Sequence, residues 1–347
     1  MSDNFVADTA ARIFADLADP QTINKAADGA WKTALWQALS ENGLTLAWVP
    51  EALGGAGAEL ADGFAVLSVA GRYAAAVPLA ETLLAGWLLA RAGLKSPDGA
   101  MSVAPARPGD AITLGADGTL SGRARAVPFA KEAQHLAALA GASVALVETA
   151  ACRLGEGTSL ASEASNTVTF ERVKPLAVAP VKGIDASALL LMGCVVRAVE
   201  TAGALEAILD LSVRYANERV AFEKKIAKFQ AVQHNLARLA GEVSAAMTAA
   251  HSAADALARS DTFDDALFLE ATAAKIRSAE AAQEGAAIAH QVHGAIGFTS
   301  EHILHRYTLR LLAWRDDFGN ESYWAAALGN RVAARGADAF WPLVAVC

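Results

Sequence analysis

The chain has 347 residues, enough for two or three domains and a sizeable core. Apolar residues make up 54% and charged residues 19%, and much of the apolar excess is alanine, so a mostly helical globular protein with large covered interfaces is expected. A formal net charge of −8 argues against nucleic-acid binding, which needs a positive field.

Cys152, Cys194 and Cys347 are too scattered for a disulfide framework, which points to a reducing cytoplasm. The opening MSDNFVADTAARIF lacks a basic region followed by an apolar core, so no signal peptide is expected. The apolar run ALLLMGCVV at 188–196 is about half a membrane span, so no membrane partner is expected either.

In chain order, residues 1 to about 95 have helical periodicity. WKTALWQALSENGL sets Trp31, Leu35, Leu39 and, less cleanly, Leu44 near one face, and Gly43 suits a helix stop. VPEALGGAG is a glycine-rich loop, after which the helical pattern resumes. From about 100 to 180, Gly-Asp and Asp-Gly turn signals separate short β-type runs, which predicts a small all-β domain. From about 183 onward, long proline-poor amphipathic segments predict an up-and-down helical bundle.

Three segments could carry chemistry. RYANERVAFEKKIAKFQAVQHNLAR at 214–238 holds six cations (Arg214, Arg219, Lys224, Lys225, Lys228, Arg238) against Glu218 and Glu223, with Phe222 and Phe229 interleaved. Such an island suits an anionic ligand with a flat ring, such as a dinucleotide, or else is a solvated helix face with i,i+4 pairs. HQVHGAIGFTSEHILHRY at 290–307 has Gly294 and Gly297 at a helix-to-helix turn, where backbone could approach a ligand. Its histidines, paired at i,i+3, have only Glu301 as a nearby carboxylate and fit a helix surface or interface better than a metal site. AWRDDFGNESYW at 313–324 gathers Asp316, Asp317 and Glu321 around a Gly-Asn step, the pattern either of a base on a turn or of a polar corner.

These segments together resemble the acyl-CoA dehydrogenase family over nearly the whole chain. NGLTLAWVPEALGGAG resembles the family's N-terminal helical signature. RVAFEKKIAKFQ is similar to its R-x-x-F-G-x-x-I-x-x-F-Q segment, and QVHGAIGF to its Q-x-x-G-G-x-G-F/Y segment. The resemblance implies an α+β, mostly α fold. Its parts would be an N-terminal helical domain (1–98), a shortened middle β domain (99–182) and a C-terminal four-helix bundle (183–347) with the oligomer interface. It implies FAD as cofactor, held through its ADP half by Arg219, Phe222, Gln230, Gln291, Gly294 and Gly297, partly across a dimer interface. It also implies an acyl-CoA substrate and, commonly, an electron-transferring flavoprotein as electron acceptor.

The departures cluster where the family does its chemistry. There a glutamate removes the proton α to the thioester while the β-hydride passes to flavin N5. The register puts Phe318 at that glutamate position, with Gly319 retained and Asn320 replacing the usual threonine. A minority of members carry the base on an earlier helix, at the position of Gly193. VAPARPGD and GRARAVPFA stand where the family's flavin-ring stretches run, and Pro128 has neither hydroxyl nor N–H to donate. Glu223 and Ala295 replace glycines. The chain thus resembles the short, base-lacking subunit of bacterial α2β2 members that act in steroid side-chain degradation. Two alternatives stay open: a homo-oligomeric dehydrogenase with its base relocated to Asp316, Asp317 or Glu321, and a non-catalytic acyl-CoA-binding or structural paralogue. The flanking acids fit a polar corner, with Asn320 or Asp317 capping the next helix.

Overall fold

The computed structural model describes residues 5–26, 29–260 and 262–345; Cys347 lies outside them. The N-terminal helices are α1 (Phe5–Ala18), α2 (Pro20–Asn24), α3 (Ala30–Glu41), α4 (Leu60–Tyr73) and α5 (Leu79–Arg91). Leu35, Leu39 and Leu44 are buried as their spacing predicts, while Trp31 is only half-buried. Gly43, just past the end of α3, takes φ 70°, the left-handed conformation that a glycine helix stop supplies without a Cβ penalty.

Strands follow: β1 (Met101–Ala104), β2 (Ala111–Leu114), β3 (Leu120–Pro128), β4 (His135–Ala140), β5 (Ser143–Glu148), β6 (Arg153–Gly155), β7 (Ser165–Val173) and β8 (Ala177–Pro180). They form two four-stranded sheets among the described residues, ordered β1-β4-β5-β8 and β2-β3-β7-β6, with only the β1–β4 pairing parallel. Two buried hydroxyls join these layers. The Met101 amide donates to Thr82 Oγ1 (3.0 Å), linking α5 to β1, and Ser102 Oγ donates to the Pro128 carbonyl (2.6 Å), linking the sheets.

The remaining helices are α6 (Ala186–Glu218), α7 (Gln230–Arg259), α8 (Asp265–His293), α9 (Leu304–Trp314), α10 (Glu321–Arg335) and α11 (Phe340–Ala345). A short hairpin of β9 (Val220–Ala221) and β10 (Lys224–Lys225) sits between α6 and α7. The 33 residues of α6 follow the N-cap Asp185, whose carboxylate accepts from the Ala188 amide (2.8 Å). By length and composition α6 could cross a membrane, but its most apolar window is entirely buried within the protein, as in a central core helix.

Close helix contact fixes α6 in place. A Cβ at Gly203 would run into the Ser68 carbonyl of α4, and one at Gly71 into the Glu200 carbonyl of α6. Replacing Gly203 by Ala must therefore push α4 off α6. We expect a loss of about 1–3 kcal/mol, the usual cost of overpacking, read as a lower thermal midpoint. An unchanged midpoint would contradict the contact.

Candidate functional site

The segment between α9 and α10 holds Phe318, the position at which the resemblance expects a base. Asn320 is the N-cap of α10, its Oδ1 accepting from the Tyr323 amide (2.9 Å). Of the two capping candidates, Asn320 takes the role because Asp317 is held elsewhere. To reach that cap the chain turns through two successive left-handed residues, Phe318 (φ 57°) and Gly319 (φ 95°). Glycine tolerates this without penalty, whereas phenylalanine bears a backbone cost of about 1–2 kcal/mol.

Burial offsets that cost. Phe318 is 1% exposed and its ring lies directly on Gly193 of α6, where any Cβ would overlap the Cγ and Cδ atoms of the ring. Burying a phenyl side chain returns roughly 1.5–3 kcal/mol. The Phe318 carbonyl accepts from Trp324 Nε1 (3.0 Å) and from the buried Cys194 thiol (3.5 Å), so no polar group is stranded. Burial pushes the Cys194 thiol up to about 12, so it remains a thiol. The two positions expected from sequence to lack the base are therefore neighbours, and each fills the other's space.

One turn beyond Gly193, Arg197 is 3% exposed and meets three carboxylates. It pairs with Glu81 of α5, with Glu200 of α6 (2.5 Å) and, through Nε, with Asp317 (3.0 Å). Its guanidinium also lies 5.9 Å from the Phe318 ring centroid and 5.7 Å from that of Trp314. Buried Lys275 of α8 donates to the Trp314 carbonyl (2.7 Å). Burial, against the opposing pull of Arg197, raises the Glu81 carboxyl, and it takes Glu200 to about 7. Burial lowers the Lys275 ammonium. Sequence reasoning missed this cluster. The available signal was three charged residues set into the apolar helical stretches PLAETLLAGWLL and LLLMGCVVRAVETAG.

None of the three acids near the turn is arranged as a base. Asp317 is committed to Arg197. Asp316 is exposed, and its backbone carbonyl accepts from Arg107 (2.6 Å). Glu321 pairs with Arg315. Burial pushes its carboxyl up, but the Arg315 hydrogen bond and charge outweigh this and hold it below the ordinary carboxylate value. A general base for a weakly acidic proton needs a shift in the opposite direction.

The cationic candidates gather at the end of the bundle where α6 and α8 finish and α7 begins. Tyr215 of α6 donates to the His293 carbonyl of α8 (3.2 Å) and stacks on its ring at 4.4 Å, fastening the two segments together. Arg219 caps α6 and is exposed, as are Gln230 at the start of α7 and Gln291 in the last turn of α8. The β9–β10 hairpin turns through Phe222 (φ 51°) and Glu223 (φ 64°), both left-handed, as a two-residue type I′ turn requires. Glu223 thus adopts a left-handed conformation that glycine, the residue the resemblance expects there, would take without penalty.

Phe222 is 89% exposed at the hairpin tip, with Phe229 edge-on at 6.2 Å and Lys224 Nζ 4.3 Å from the Phe229 ring centroid. Gly294 (φ 67°) faces open space and leaves the backbone approachable. Gly297 is buried, and a Cβ there would crowd Leu304, His293 and His290 at 3.0–3.2 Å. Gly297 thus serves packing where open backbone was expected.

The histidines stack behind this surface. His290 lies on Phe298 at 4.2 Å, and His293 is 4.8 Å from His302. Burial, with the charges of His302 and His290 and against a bond to the Ala289 carbonyl, takes His293 down to about 4. Burial likewise lowers His290 and His302. His290 Nδ1 and His293 Nε2 are buried without a hydrogen-bond partner.

Family profiles for the acyl-CoA dehydrogenase N-terminal domain and C-terminal domain match residues 3–96 and 185–322. The chain belongs to the acyl-CoA dehydrogenase family. It is accordingly a flavin-dependent oxidoreductase acting at a CH–CH bond of acyl-CoA thioesters, with FAD as cofactor. Acyl-CoA dehydrogenase IpdE2 of Mycobacterium tuberculosis is 31% identical over 87% of this chain and 88% of its own. Among solved structures, the Tcur3481-Tcur3483 steroid acyl-CoA dehydrogenase variant matches with TM-score 0.82 and 25% identity over 95% of this chain and 97% of that one. The ChsE4-ChsE5 complex of M. tuberculosis matches with TM-score 0.81 and 22% identity over 96% and 98%, a likeness of fold.

The residues present fit one half of that cofactor and not the other. Arg219 and Gln291 on an open surface, with the bare backbone of Gly294, suit the pyrophosphate and adenosine half. The buried Phe318 ring at the expected base position, and buried Pro128 in the β stretch where the resemblance expects the flavin ring, offer no polar side chain to a thioester or flavin.

If Phe318 and Gly193 interlock, their substitutions must couple. We expect Phe318→Ala to cost about 3–5 kcal/mol. Gly193→Ala should cost markedly less in the Phe318→Ala background than in the native one, as a double-mutant cycle in denaturant would measure. Additive effects would contradict the packing.

Proposed function

We propose that this chain is the base-lacking subunit of a heteromeric acyl-CoA dehydrogenase, completing a flavin site whose catalytic carboxylate lies on a homologous partner. The observation that carries this reading is the Phe318–Gly193 contact. Both positions at which the resemblance expects a base lack a carboxylate, and an aromatic ring fills the volume between them. The exposed Arg219–Phe222–Gln291–Gly294 surface supports a role toward FAD, as it leaves the ADP-binding groups free to act across an interface.

In this role Arg219 donates charge-assisted hydrogen bonds to the pyrophosphate, Phe222 covers a flat ring, and Gln230 and Gln291 supply amide contacts. Gly294 brings backbone close, while Gly297 acts through packing. FAD supplies hydride acceptance when bound; this chain's residues bind and orient. The likeness to a steroid acyl-CoA dehydrogenase supports a bulky, steroid-derived acyl group as the substrate class. We assign the domains as residues 1–98, 99–182 and 183–347, the compartment as cytoplasmic, the assembly as α2β2, and the acceptor as an electron-transferring flavoprotein.

The visible spectrum tests the assignment. The chain purified alone should be colourless, turning yellow and active only when co-expressed with a homologous dehydrogenase subunit. Stoichiometric flavin in the lone chain, bleached by an acyl-CoA, would overturn it. In the assembly, Arg219→Ala should weaken FAD retention on the order of ten-fold or more, the loss of a charge-assisted bond worth about 1.5–3 kcal/mol. Unchanged retention would remove Arg219 from the site.

A further inference from the structure

We infer that the Arg197 cluster is a proton-loaded latch. With one proton on its carboxylates it holds Asp317 and keeps Phe318 seated on Gly193, and loss of that proton frees the 315–320 turn. The inference stands on this chain's own geometry and does not depend on the partner assignment.

Charge balance is the first ground. One guanidinium, 3% exposed, receives Glu81, Glu200 and Asp317. With all three ionised the group would carry net charge −2 out of water, and a single proton brings it to −1. Burying unbalanced charge costs several kcal/mol per ion, so retention of a proton is favoured. The Glu81 Oε2 atom is buried without a hydrogen-bond partner, as expected of a carboxyl sharing an incompletely satisfied site.

The surroundings do not cancel the excess. From α8, the Lys275 ammonium attracts Asp317 and offsets part of the excess, but its hydrogen bond goes to the Trp314 carbonyl and burial lowers it. From the β6–β7 connection, Glu163 adds negative charge, but Arg310 of α9 pairs with it (2.7 Å), with Arg306 beside them. On the turn itself, Arg315 pairs with Glu321. The residual negative charge therefore stays with Glu81, Glu200 and Asp317.

The second ground is mechanical. Glu81 and Glu200 belong to the packed helices α5 and α6, whereas Asp317 sits on a turn and is the most exposed of the three, its side chain 14% accessible. When the cluster holds one negative charge too many, the turn is the element able to move. Asp317 precedes Phe318, which already bears a left-handed backbone. Release of Asp317 therefore removes the anchor that holds the ring down and opens the floor of this half-site.

Thermodynamic linkage gives the sign. The group that senses Asp317 is Glu81: burial, against the pull of Arg197, raises its carboxyl and the charge of Asp317 raises it further, so Glu81 binds a proton more tightly with Asp317 latched than released. The latch is thus strongest at low pH, where the cluster keeps its proton, and weakens as pH rises through about 7, the value to which burial takes the neighbouring Glu200.

Hydrogen–deuterium exchange on the full chain, in whatever assembly it purifies, tests this through peptides spanning 313–322. After correction for intrinsic exchange rates, exchange in this segment should rise by about ten-fold or more between pH 5 and 7.5 and then level off. Glu200→Gln, which keeps the cluster at the protonated charge, should hold exchange at the low-pH value throughout. Glu81→Gln serves the same purpose if Glu200→Gln does not fold. Corrected exchange in the native chain that is flat with pH would overturn the latch. The same pH rise persisting in a folded Gln variant would also overturn it.

Discussion

The buried guanidinium of Arg197 is the constraint on which this half-site depends. It joins α5 through Glu81, α6 through Glu200 and the α9–α10 turn through Asp317, three parts of the chain far apart in sequence. Such clusters contribute little net stability beside an apolar equivalent, but removing one partner is costly, by about 3–5 kcal/mol, because an uncompensated charge stays behind. The cluster therefore dictates geometry. It settles where Asp317 points and, with it, where the next residue goes.

That next residue explains the chemical character of the chain. Phe318 accepts a left-handed backbone because its ring has a matched hollow on Gly193 and its carbonyl has two donors. The position at which the resemblance expects a base is here part of the core. At the other end of the bundle, Arg219, Phe222, Gln291 and Gly294 stay on the surface, supported by the Tyr215–His293 stack. One end of the long helices closes inward while the other presents cations and bare backbone outward. This arrangement supports the proposed role of a subunit that completes a neighbour's site.

Much of this was legible in the sequence, because it rests on local signals. The helix–strand–helix order followed from periodicity and turn residues. The cationic island at 214–238 stood out against a net charge of −8, and the expectation of a missing base came from aligning the register with the pattern of the family that the chain resembles. Asn320 as a helix cap was one of two candidates that local rules could offer. What escaped was pairwise and long-range. Gly193 and Phe318 are 125 residues apart, and no spacing rule reports that two departures from a family pattern compensate each other. Arg197, Glu81 and Glu200 read as isolated charges in apolar helices until folding brings them together. Gly297 looked like Gly294 in sequence, yet one packs against side chains and the other faces solvent.

The central claim is that this chain carries no α-proton base of its own. The most direct measurement is exchange of the acyl-CoA α-proton with solvent deuterium, followed by proton NMR under anaerobic conditions. The full chain with added FAD should leave the α-proton unexchanged. Its assembly with a homologous subunit should exchange it, and should keep doing so with Asp316→Asn or Glu321→Gln in this chain. Exchange by the chain alone, abolished by one of those substitutions, would contradict the account.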